Sequence, residues 1–357
     1  MFIEDATTNL LTYSEDFGNA AWTKTAVTVS GDFTYAPDGT KSADKINETS
    51  ATDLHYVASA SQTFTSGITY TLSIYTKAST RDVLQVVPPA SAFPVAFANF
   101  NLTTGSLGSY SGLTAASMTP VGNGWYRCSI TLVATSTTSD PVFFLMQLSD
   151  TAPRSTTYAG DGYSGIYIWG AQLEANSASP SSYVVTAGAT AYRSYDNVVM
   201  TGTNFSSWYN QEEGSVYAEF KIDQKPLNGV GGFDNYVVNV SDVPHGNQHM
   251  LLISPSAELR VNSYYNFNSQ ASLSITTPLI VGDIYRLASS FKTGSFEASA
   301  NASIPLSDVS GTLSKNMNIL QLGAFTTGAS ALRGHLRRFT YYPKKLTNQE
   351  LQTLTAI

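Results

Sequence analysis

Two histidines, His245 and His249, stand four residues apart in the segment VPHGNQHML. On a helix, histidines at this spacing share one face and can bind a metal ion. Pro244 and Gly246 disfavour a helix at this point, and no glutamate lies between the histidines. We therefore interpret this segment as a loop and not as a metal site.

The chain offers few groups for acid–base or nucleophilic catalysis. It has four histidines and a single cysteine, Cys128, so no intrachain disulfide can form. Cys128 lies in WYRCSITLV, where Tyr126, Cys128, Ile130 and Leu132 alternate with polar residues, a pattern that indicates core packing. Neither a Gly-x-Ser-x-Gly sequence nor a Walker sequence is present. These observations predict a protein that is not an enzyme.

Aromatic residues interleaved with amides offer a different chemistry, the binding of sugars. In the segment VNSYYNFNSQ, Tyr264, Tyr265 and Phe267 alternate with asparagines that include Asn266. Aromatic faces stack on the CH groups of pyranose rings, and amides hydrogen-bond to hydroxyls. Consecutive residues of a strand point to opposite faces, so some of these rings must be exposed. We predict that Tyr264, Tyr265, Asn266 and Phe267 contact a glycan; an interface with another subunit is the alternative.

The four tryptophans fall into two groups. Trp22 and Trp208 lie in the polar contexts NAAWTK and FSSWYN, so both are further candidates for glycan contact, with a packing role as the alternative. Trp125 begins a predicted strand and Trp169 lies within one, which favours a structural role for both.

Composition narrows the class of partner. The chain has 357 residues with a formal net charge of -7, and charged residues make up 13%, against about 25% in ordinary globular proteins. An acidic surface argues against binding to nucleic acids or to anionic membrane surfaces. The sequence contains no run of 18 apolar residues, so it predicts no membrane-spanning helix. The start, MFIEDATTNLL, lacks the features of a signal peptide. Neutral polar partners such as glycans are expected.

Alternating patterns predict an all-β protein. TYTLSIYTK and SVYAEFKID alternate apolar and polar residues, VFFLMQL reads as a strand buried on both faces, and turn clusters such as VGNGW separate the runs. The small and polar residues from 187 to 212 show little alternation and separate two halves. We predict two tandem β-sandwich (jelly-roll) domains, residues 1–195 and 196–357, with a short C-terminal helix.

The C-terminal helix is predicted from a capping box. Thr347 stands three residues before Glu350, and Leu351 and Leu354 follow on one helical face. The preceding run LRRFTYY reads as the last strand, which Pro343 ends. The two leucines are expected to pack over the edge of a sheet.

Both halves resemble known families. The segments EGSVYAEFKI, YRLASSFKTGSFEASANASI and LRGHLRRFTYYPKKLTNQELQTLT make residues 196–357 resemble concanavalin A-like, laminin-G-like domains, in the version found in bacteriophage tail and fibre proteins. The segments NLLTYSEDFGNAAWTK, APDGTKSADKI, GNGWYRCSITL and GIYIWGAQLEANSASPSSYVVT make residues 9–187 resemble carbohydrate-binding-module-like jelly rolls. The tandem resembles a virion adhesion protein.

The resemblance carries several expectations. It implies binding of a bacterial surface polysaccharide at the virion surface, together with other virion proteins and as a homo-oligomer, whose expected form is a trimer. Carbohydrate-binding jelly rolls often hold a structural calcium; the similar positions here are Glu15, Gln172 and Glu174, without the paired aspartates of that family. A purely structural virion component is the main alternative. A polysaccharide lyase or hydrolase is the second, although the Glu-x-Asp-x-x-Glu strand of glycosidases with this fold is missing.

Overall fold

The computed structural model describes residues 1–196, 198–223, 234–325 and 330–356. It divides into two compact units: residues 7–193, here the first sandwich, and residues 1–6 with 194–357, here the second sandwich. The first six residues belong with the second sandwich because strand β1 (Phe2–Ile3) pairs antiparallel with strand β30 (Gly334–Tyr342). A boundary drawn at residue 195 from composition alone misses this pairing.

The first sandwich contains eighteen strands, most of them short, and the structure describes every residue of this unit. They are β2 (Thr7–Asn9), β3 (Thr23–Thr25), β4 (Val27–Thr34), β5 (Ala43–Glu48), β6 (Thr52–Asp53), β7 (Tyr56–Ala58), β8 (Gln62–Phe64), β9 (Thr69–Ala78), β10 (Val83–Val87), β11 (Phe97–Asn101), β12 (Ser106–Ser111), β13 (Ala115–Gly122), β14 (Trp125–Val133), β15 (Thr138–Asp140), β16 (Phe143–Gln147), β17 (Tyr158–Ala159), β18 (Gly165–Ala175) and β19 (Ala191–Arg193).

Two antiparallel six-stranded sheets form the layers of the first sandwich. Sheet A has the order β12-β11-β10-β16-β7-β3, and sheet B has the order β13-β14-β9-β18-β5-β4. Alternate residues of both sheets meet in one core, as Leu72 and Ile74 of sheet B and Leu84 and Phe144 of sheet A illustrate. Each such fully buried side chain contributes about 2 kcal/mol of hydrophobic stabilisation. Cys128 is fully buried in this core, as its alternating context predicted.

The second sandwich has twelve strands and two helices among its described residues. Besides β1 and β30, the strands are β20 (Val198–Thr201), β21 (Glu213–Ile222), β22 (Asn235–Ser241), β23 (Gln248–Ile253), β24 (Leu259–Tyr265), β25 (Asn268–Ile275), β26 (Ile284–Lys292), β27 (Ser295–Ala300), β28 (Leu306–Asp308) and β29 (Ile319–Leu322); the helices are α1 (Thr203–Ser206) and α2 (Asn348–Leu354).

These strands also form two six-stranded antiparallel sheets. Sheet C has the order β1-β30-β21-β26-β27-β28, and sheet D has the order β20-β29-β22-β23-β24-β25. Val216, Ala218, Phe220 and Ile222, the predicted inward face of β21, all lie in the core between the sheets. The prediction of an all-β chain with two β-sandwiches is thereby confirmed.

The C-terminal helix and its capping box are also confirmed. The Thr347 side chain accepts from the Glu350 backbone N–H, and the Glu350 carboxylate accepts from the Thr347 backbone N–H. Such a cap stabilises a helix by about 1 kcal/mol. Leu351 is fully buried against Tyr217 and Ala288, which face outward from sheet C. The helix therefore covers the outer face of the sheet and not its edge, because these outward positions are themselves apolar.

Candidate binding surfaces

A groove lies on the outward face of sheet A. The inward residues of β10 and β16, such as Leu84 and Phe144, pack in the core. Because side chains alternate along a strand, Gln85, Val87 and Leu145 point to the opposite face. All three are nonetheless buried, since the segment that follows β16 folds back over part of this face.

Side-chain amides hold that returning segment in place. Gln85 Nε2 donates to the Pro153 carbonyl at 3.0 Å, and the Ser155 N–H donates to Gln85 Oε1 at 2.7 Å. Asn99 Nδ2 donates to the carbonyls of Asp150 and Ala152 at 3.1 and 2.7 Å. The amides of sheet A thus replace the backbone partners that an irregular segment lacks. They fix the position of Arg154, which lies between the anchored residues Pro153 and Ser155.

The uncovered part of this face forms a groove of about 360 Å³. Tyr56 and Phe143 meet edge to face on its floor, with ring centroids 5.3 Å apart, and both rings are half-buried. An apolar floor with a few polar groups at its margins is typical of small-ligand sites. The lining residues are Leu54, Tyr56, Val87, Pro89, Ala90, Ser91, Asp140, Pro141, Phe143, Leu145, Arg154 and Ser155.

Two opposite charges line the groove. Asp140 Oδ2 accepts hydrogen bonds from Ser91 Oγ and Thr138 Oγ1, both at 2.6 Å, and these bonds lower the pKa of the carboxyl. The Arg154 guanidinium donates from Nε to the Ala96 carbonyl at 3.1 Å and from Nη2 to the Pro88 carbonyl at 3.0 Å. Burial lowers the pKa of Arg154, which still remains charged at neutral pH. The groove therefore presents one acceptor and one cationic donor to a ligand.

The predicted aromatic segment forms the tip of the β24–β25 hairpin. Tyr264 is half-buried, whereas Tyr265 and Phe267 are 38% and 70% exposed. The Asn266 N–H donates to Asn247 Oδ1 at 3.0 Å, and the Phe267 N–H donates to the Gly246 carbonyl at 2.8 Å. The tip thus presents two exposed rings and the exposed Asn266 to solvent, on a backbone anchored to the neighbouring loop.

The backbone of this tip is strained at Phe267. Asn266 and Phe267 have φ angles of 47° and 61°, in the left-handed region. Asparagine tolerates this conformation, but it costs other side chains about 1–2 kcal/mol. A bulky, mostly exposed ring held at such a position motivates a functional hypothesis.

The two tryptophan candidates lie elsewhere and are less accessible than predicted. Trp22 is only 2% exposed and packs against Phe17 and Phe144, so its assignment as a glycan contact is wrong. Lys24 Nζ donates to the carbonyls of Gly18 and Trp22 and folds this polar turn so that the indole points inward.

Trp208 is half-buried and offers only part of its ring to solvent. It packs edge to face on Tyr341 at 4.9 Å, and its Nε1 donates to the Asn204 carbonyl at 2.6 Å. Within the second sandwich, no described contact joins Trp208 to the hairpin tip.

The predicted calcium residues have protein partners. Glu174 accepts from Thr7 Oγ1 and Ser181 Oγ, and Gln172 Oε1 accepts from the Val184 N–H at 2.7 Å. Both side chains are fully buried and tie the segment 181–184 to strand β18. Burial raises the pKa of Glu15, partly offset by a hydrogen bond to Tyr183. In the described parts of the chain, no group of three or more His, Cys, Asp or Glu side chains could hold a metal ion. Calcium at these residues stays a prediction.

The two histidines at metal-like spacing have different hydrogen-bond partners. His245 lies in the loop before β23, with Nδ1 3.0 Å from Ser241 Oγ. His249 lies on β23, fully buried, with Nδ1 2.6 Å from Ser263 Oγ and its ring 4.4 Å from that of Phe291. The segment was predicted to be a loop, and this holds for His245 but not for His249, which lies on strand β23.

No protein-family model and no curated protein matches the chain. Solved structures similar to parts of it include a heptameric SAP-like pentraxin from Limulus polyphemus (15% identity, 41% of this chain, 70% of that chain, TM-score 0.33). Domain 4 of the arabinanase AbnA from Geobacillus stearothermophilus, solved with arabinotriose, has 15% identity over 47% of this chain and 73% of its own (TM-score 0.30). Domains LG4-5 of mouse laminin alpha1 have 9% identity over 81% of this chain and 91% of their own (TM-score 0.30).

Similarities at this distance carry no argument about function. Among the described residues, no helix is both long and apolar enough to cross a membrane. The chemistry of the groove and of the hairpin tip must therefore support any functional proposal.

Proposed function

We propose that this chain is a non-catalytic glycan-binding protein and that the groove of the first sandwich is its principal site. The supporting observation is the floor formed by Tyr56 and Phe143, flanked by Asp140 and Arg154, in a groove of about 360 Å³. A sugar ring stacks on such a floor by its CH face. Its hydroxyls donate to the carboxylate and accept from the guanidinium.

The absence of catalysis is part of the proposal. Asp140 is the only carboxylate among the twelve groove residues, all of which are described, and glycoside hydrolases need two. A general acid also needs a raised pKa, whereas hydrogen bonds from Ser91 and Thr138 lower that of Asp140. This arrangement favours binding over hydrolysis.

The hairpin tip of the second sandwich is proposed as an auxiliary contact. Tyr265 and Phe267 are exposed there, which suits weak stacking. Two weak sites on one chain, multiplied in an oligomer, increase avidity greatly. The tandem of the two domains, with its resemblance to virion proteins, supports the finer proposal that the partner is a bacterial surface polysaccharide. In that proposal the protein acts at a bacteriophage surface as a homo-oligomer, specifically a trimer.

The test is binding of the labelled full chain to an array of bacterial polysaccharides, with and without calcium. Tyr56→Ala is expected to weaken binding at least tenfold, about 1.4 kcal/mol, because it removes half of the aromatic floor. Tyr163→Ala is the matched control, since Tyr163 is 67% exposed and lies outside the groove. The double variant Tyr264→Ala with Tyr265→Ala measures the contribution of the hairpin tip.

Each rival function gives a distinct result. Binding to none of the polysaccharides or host cells would overturn the proposal and favour a purely structural virion component. Release of unsaturated products or of new reducing ends from a bound polymer would establish a lyase or a hydrolase. A loss of binding confined to the Tyr264 and Tyr265 double variant would move the principal site to the second sandwich. Binding lost on chelation would support the calcium prediction at Glu15, Gln172 and Glu174.

A further inference from the structure

Arg154 is held at the groove without a carboxylate partner. Its guanidinium donates to two backbone carbonyls, those of Pro88 and Ala96, and no described residue forms an ion pair with it. Neutral carbonyls fix the orientation of the group but leave its charge uncompensated. The first sandwich thus contains a half-buried, positioned cation that faces a groove.

Arg81, another half-buried arginine of the first sandwich, has a different environment. Arg81 forms a two-pronged ion pair with the buried Glu48, at 2.9 and 2.6 Å. A partly desolvated cation ordinarily acquires such a counter-ion, because desolvation without compensation is costly. Arg127, which is also half-buried, has no described carboxylate partner either, but it lies over the Tyr75 ring at 5.2 Å. Arg154 has neither kind of compensation among the described residues and lies at an open groove, which leaves its counter-ion to a ligand.

The remaining donors of Arg154 suit one kind of anion. Guanidinium carries five N–H groups, and the two hydrogen bonds to backbone carbonyls leave three of them. A planar carboxylate accepts from a guanidinium through parallel hydrogen bonds, which are shorter and stronger than neutral ones. Asp140, on the same groove, accepts from hydroxyls and repels a second anion. A sugar that bears one carboxylate and several hydroxyls satisfies both residues.

We infer that the groove recognises a carboxylated sugar, a uronic or sialic acid residue, with Arg154 as the carboxylate contact. This inference rests on the proposed function and names its ligand class. It also revises the expectation of a neutral ligand, which came from the net charge of -7 over the whole chain. A fixed guanidinium acts at contact distance, whereas the field of the whole chain is screened within about 10 Å at 0.1 M salt.

The test compares ligands that differ only in the carboxylate. Oligosaccharides of polygalacturonate, of alginate and of polysialic acid are measured by calorimetry against their carboxyl-reduced counterparts, with the full-length chain. We expect the acid form of the recognised polymer to bind at least tenfold more tightly than its reduced form. Arg154→Met is expected to remove that difference, and Arg154→Lys to restore part of it through charge without the planar fork.

The wild-type comparison stands even if a variant folds poorly, since it needs no substitution. Equal affinity for the acid and reduced forms would overturn the inference and leave glycan binding intact. Binding of neutral polymers alone, or of a sulfated polymer without carboxylates as tightly as the acids, would do the same. Binding of no polymer of any kind would overturn the proposed function together with this inference.

Discussion

Gln85 and Asn99 lie side by side on β10 and β11, and the Gln85 amide donates to the Asn99 side-chain oxygen at 2.8 Å. Both side chains are fully buried although they point away from the hydrophobic core. Together they bind the carbonyls of Asp150, Ala152 and Pro153. The wall of the groove is therefore anchored by side-chain amides and not by a regular strand.

Gln85→Leu is expected to loosen that wall. The substitution keeps the volume of the side chain but leaves the Ser155 N–H, the Pro153 carbonyl and Asn99 without their partner. An unpaired buried polar group costs about 1–3 kcal/mol, and of the three residues only Asn99 is fully buried. We expect the first sandwich to lose about 2 kcal/mol and the amides of residues 150–156 to exchange hydrogen faster.

Urea unfolding and hydrogen exchange by mass spectrometry measure the two effects. Gln62→Leu is the matched control, because the Gln62 amide binds only the nearby Ala60 carbonyl. Unchanged exchange in residues 150–156 would show that the wall does not depend on these amides.

Glu48 holds the later part of the segment that follows β16. Its negative charge is expected to contribute more to the stability of the first sandwich than the shape of its side chain does. The carboxylate is 1% exposed and accepts from Arg81, from Tyr158 Oη at 2.8 Å and from the Asp161 N–H at 2.8 Å. Glu48→Gln preserves the shape but leaves Arg81 without its main counter-ion, and breaking a buried pair costs about 3 kcal/mol.

Tyr158→Phe removes one hydrogen bond from the same carboxylate and serves as the comparison. It should cost about 1 kcal/mol. Equilibrium unfolding of the wild type, Glu48→Gln and Tyr158→Phe at one pH gives both changes in the free energy of unfolding. A cost for Glu48→Gln no larger than that for Tyr158→Phe would mean that the ion pair adds no net stability.

Much of the fold was predictable from the sequence because its signals are local. Alternation placed Leu72, Ile74 and Phe220 in the cores, and the Thr347 capping box located the C-terminal helix. These features depend on residues a few positions apart, so their spacing encodes them. Cys128 was placed in the core by the same alternation.

The groove was not predicted because its parts are distant in sequence. Tyr56, Pro89, Asp140 and Arg154 meet only through the order of strands in sheet A and the return of the segment after β16. A signal was nevertheless present: Gln85 interrupts the otherwise apolar strand β10, and Asn99 and Gln147 add amides to the largely apolar strands β11 and β16. Buried strands with single amides on the outward face indicate a covering segment with unpaired backbone groups.

Trp22 was wrongly predicted to be exposed because the prediction relied on its neighbours in the sequence. Its polar neighbours suggested an exposed loop, but Lys24 binds the turn's carbonyls and the indole reaches Phe144 of sheet A. Local polarity describes the backbone of a turn and not the direction of one long side chain.

Phe267→Asn is expected to stabilise the second sandwich. Phe267 has a φ of 61°, which asparagine tolerates better, and its ring is 70% exposed, so little burial is lost. We expect a gain of about 1 kcal/mol in unfolding free energy and a weaker contribution of the tip to glycan binding.

Asn266→Ala provides the reverse control, because alanine at a φ of 47° should be strained and destabilising. Thermal unfolding of both variants checks the signs. A destabilising effect of Phe267→Asn would show that the contact of the ring with Gly246 outweighs the backbone strain.

His249 is expected to make the second sandwich sensitive to acid. Burial lowers the pKa of His249 to about 3, whereas an unfolded histidine titrates near 6.5. Between these values the unfolded chain binds a proton that the folded chain does not, so stability is complete above pH 6.5 and falls as the pH decreases. The linkage relation gives a loss of about 1 kcal/mol at pH 5.5.

His249→Gln cannot take up this proton, and its unfolding free energy should change less than that of the wild type between pH 7.5 and 5.5 in urea titrations. His245→Gln is the control, since His245 is only half-buried. Equal pH dependence in the wild type and His249→Gln would place the acid sensitivity elsewhere in the fold.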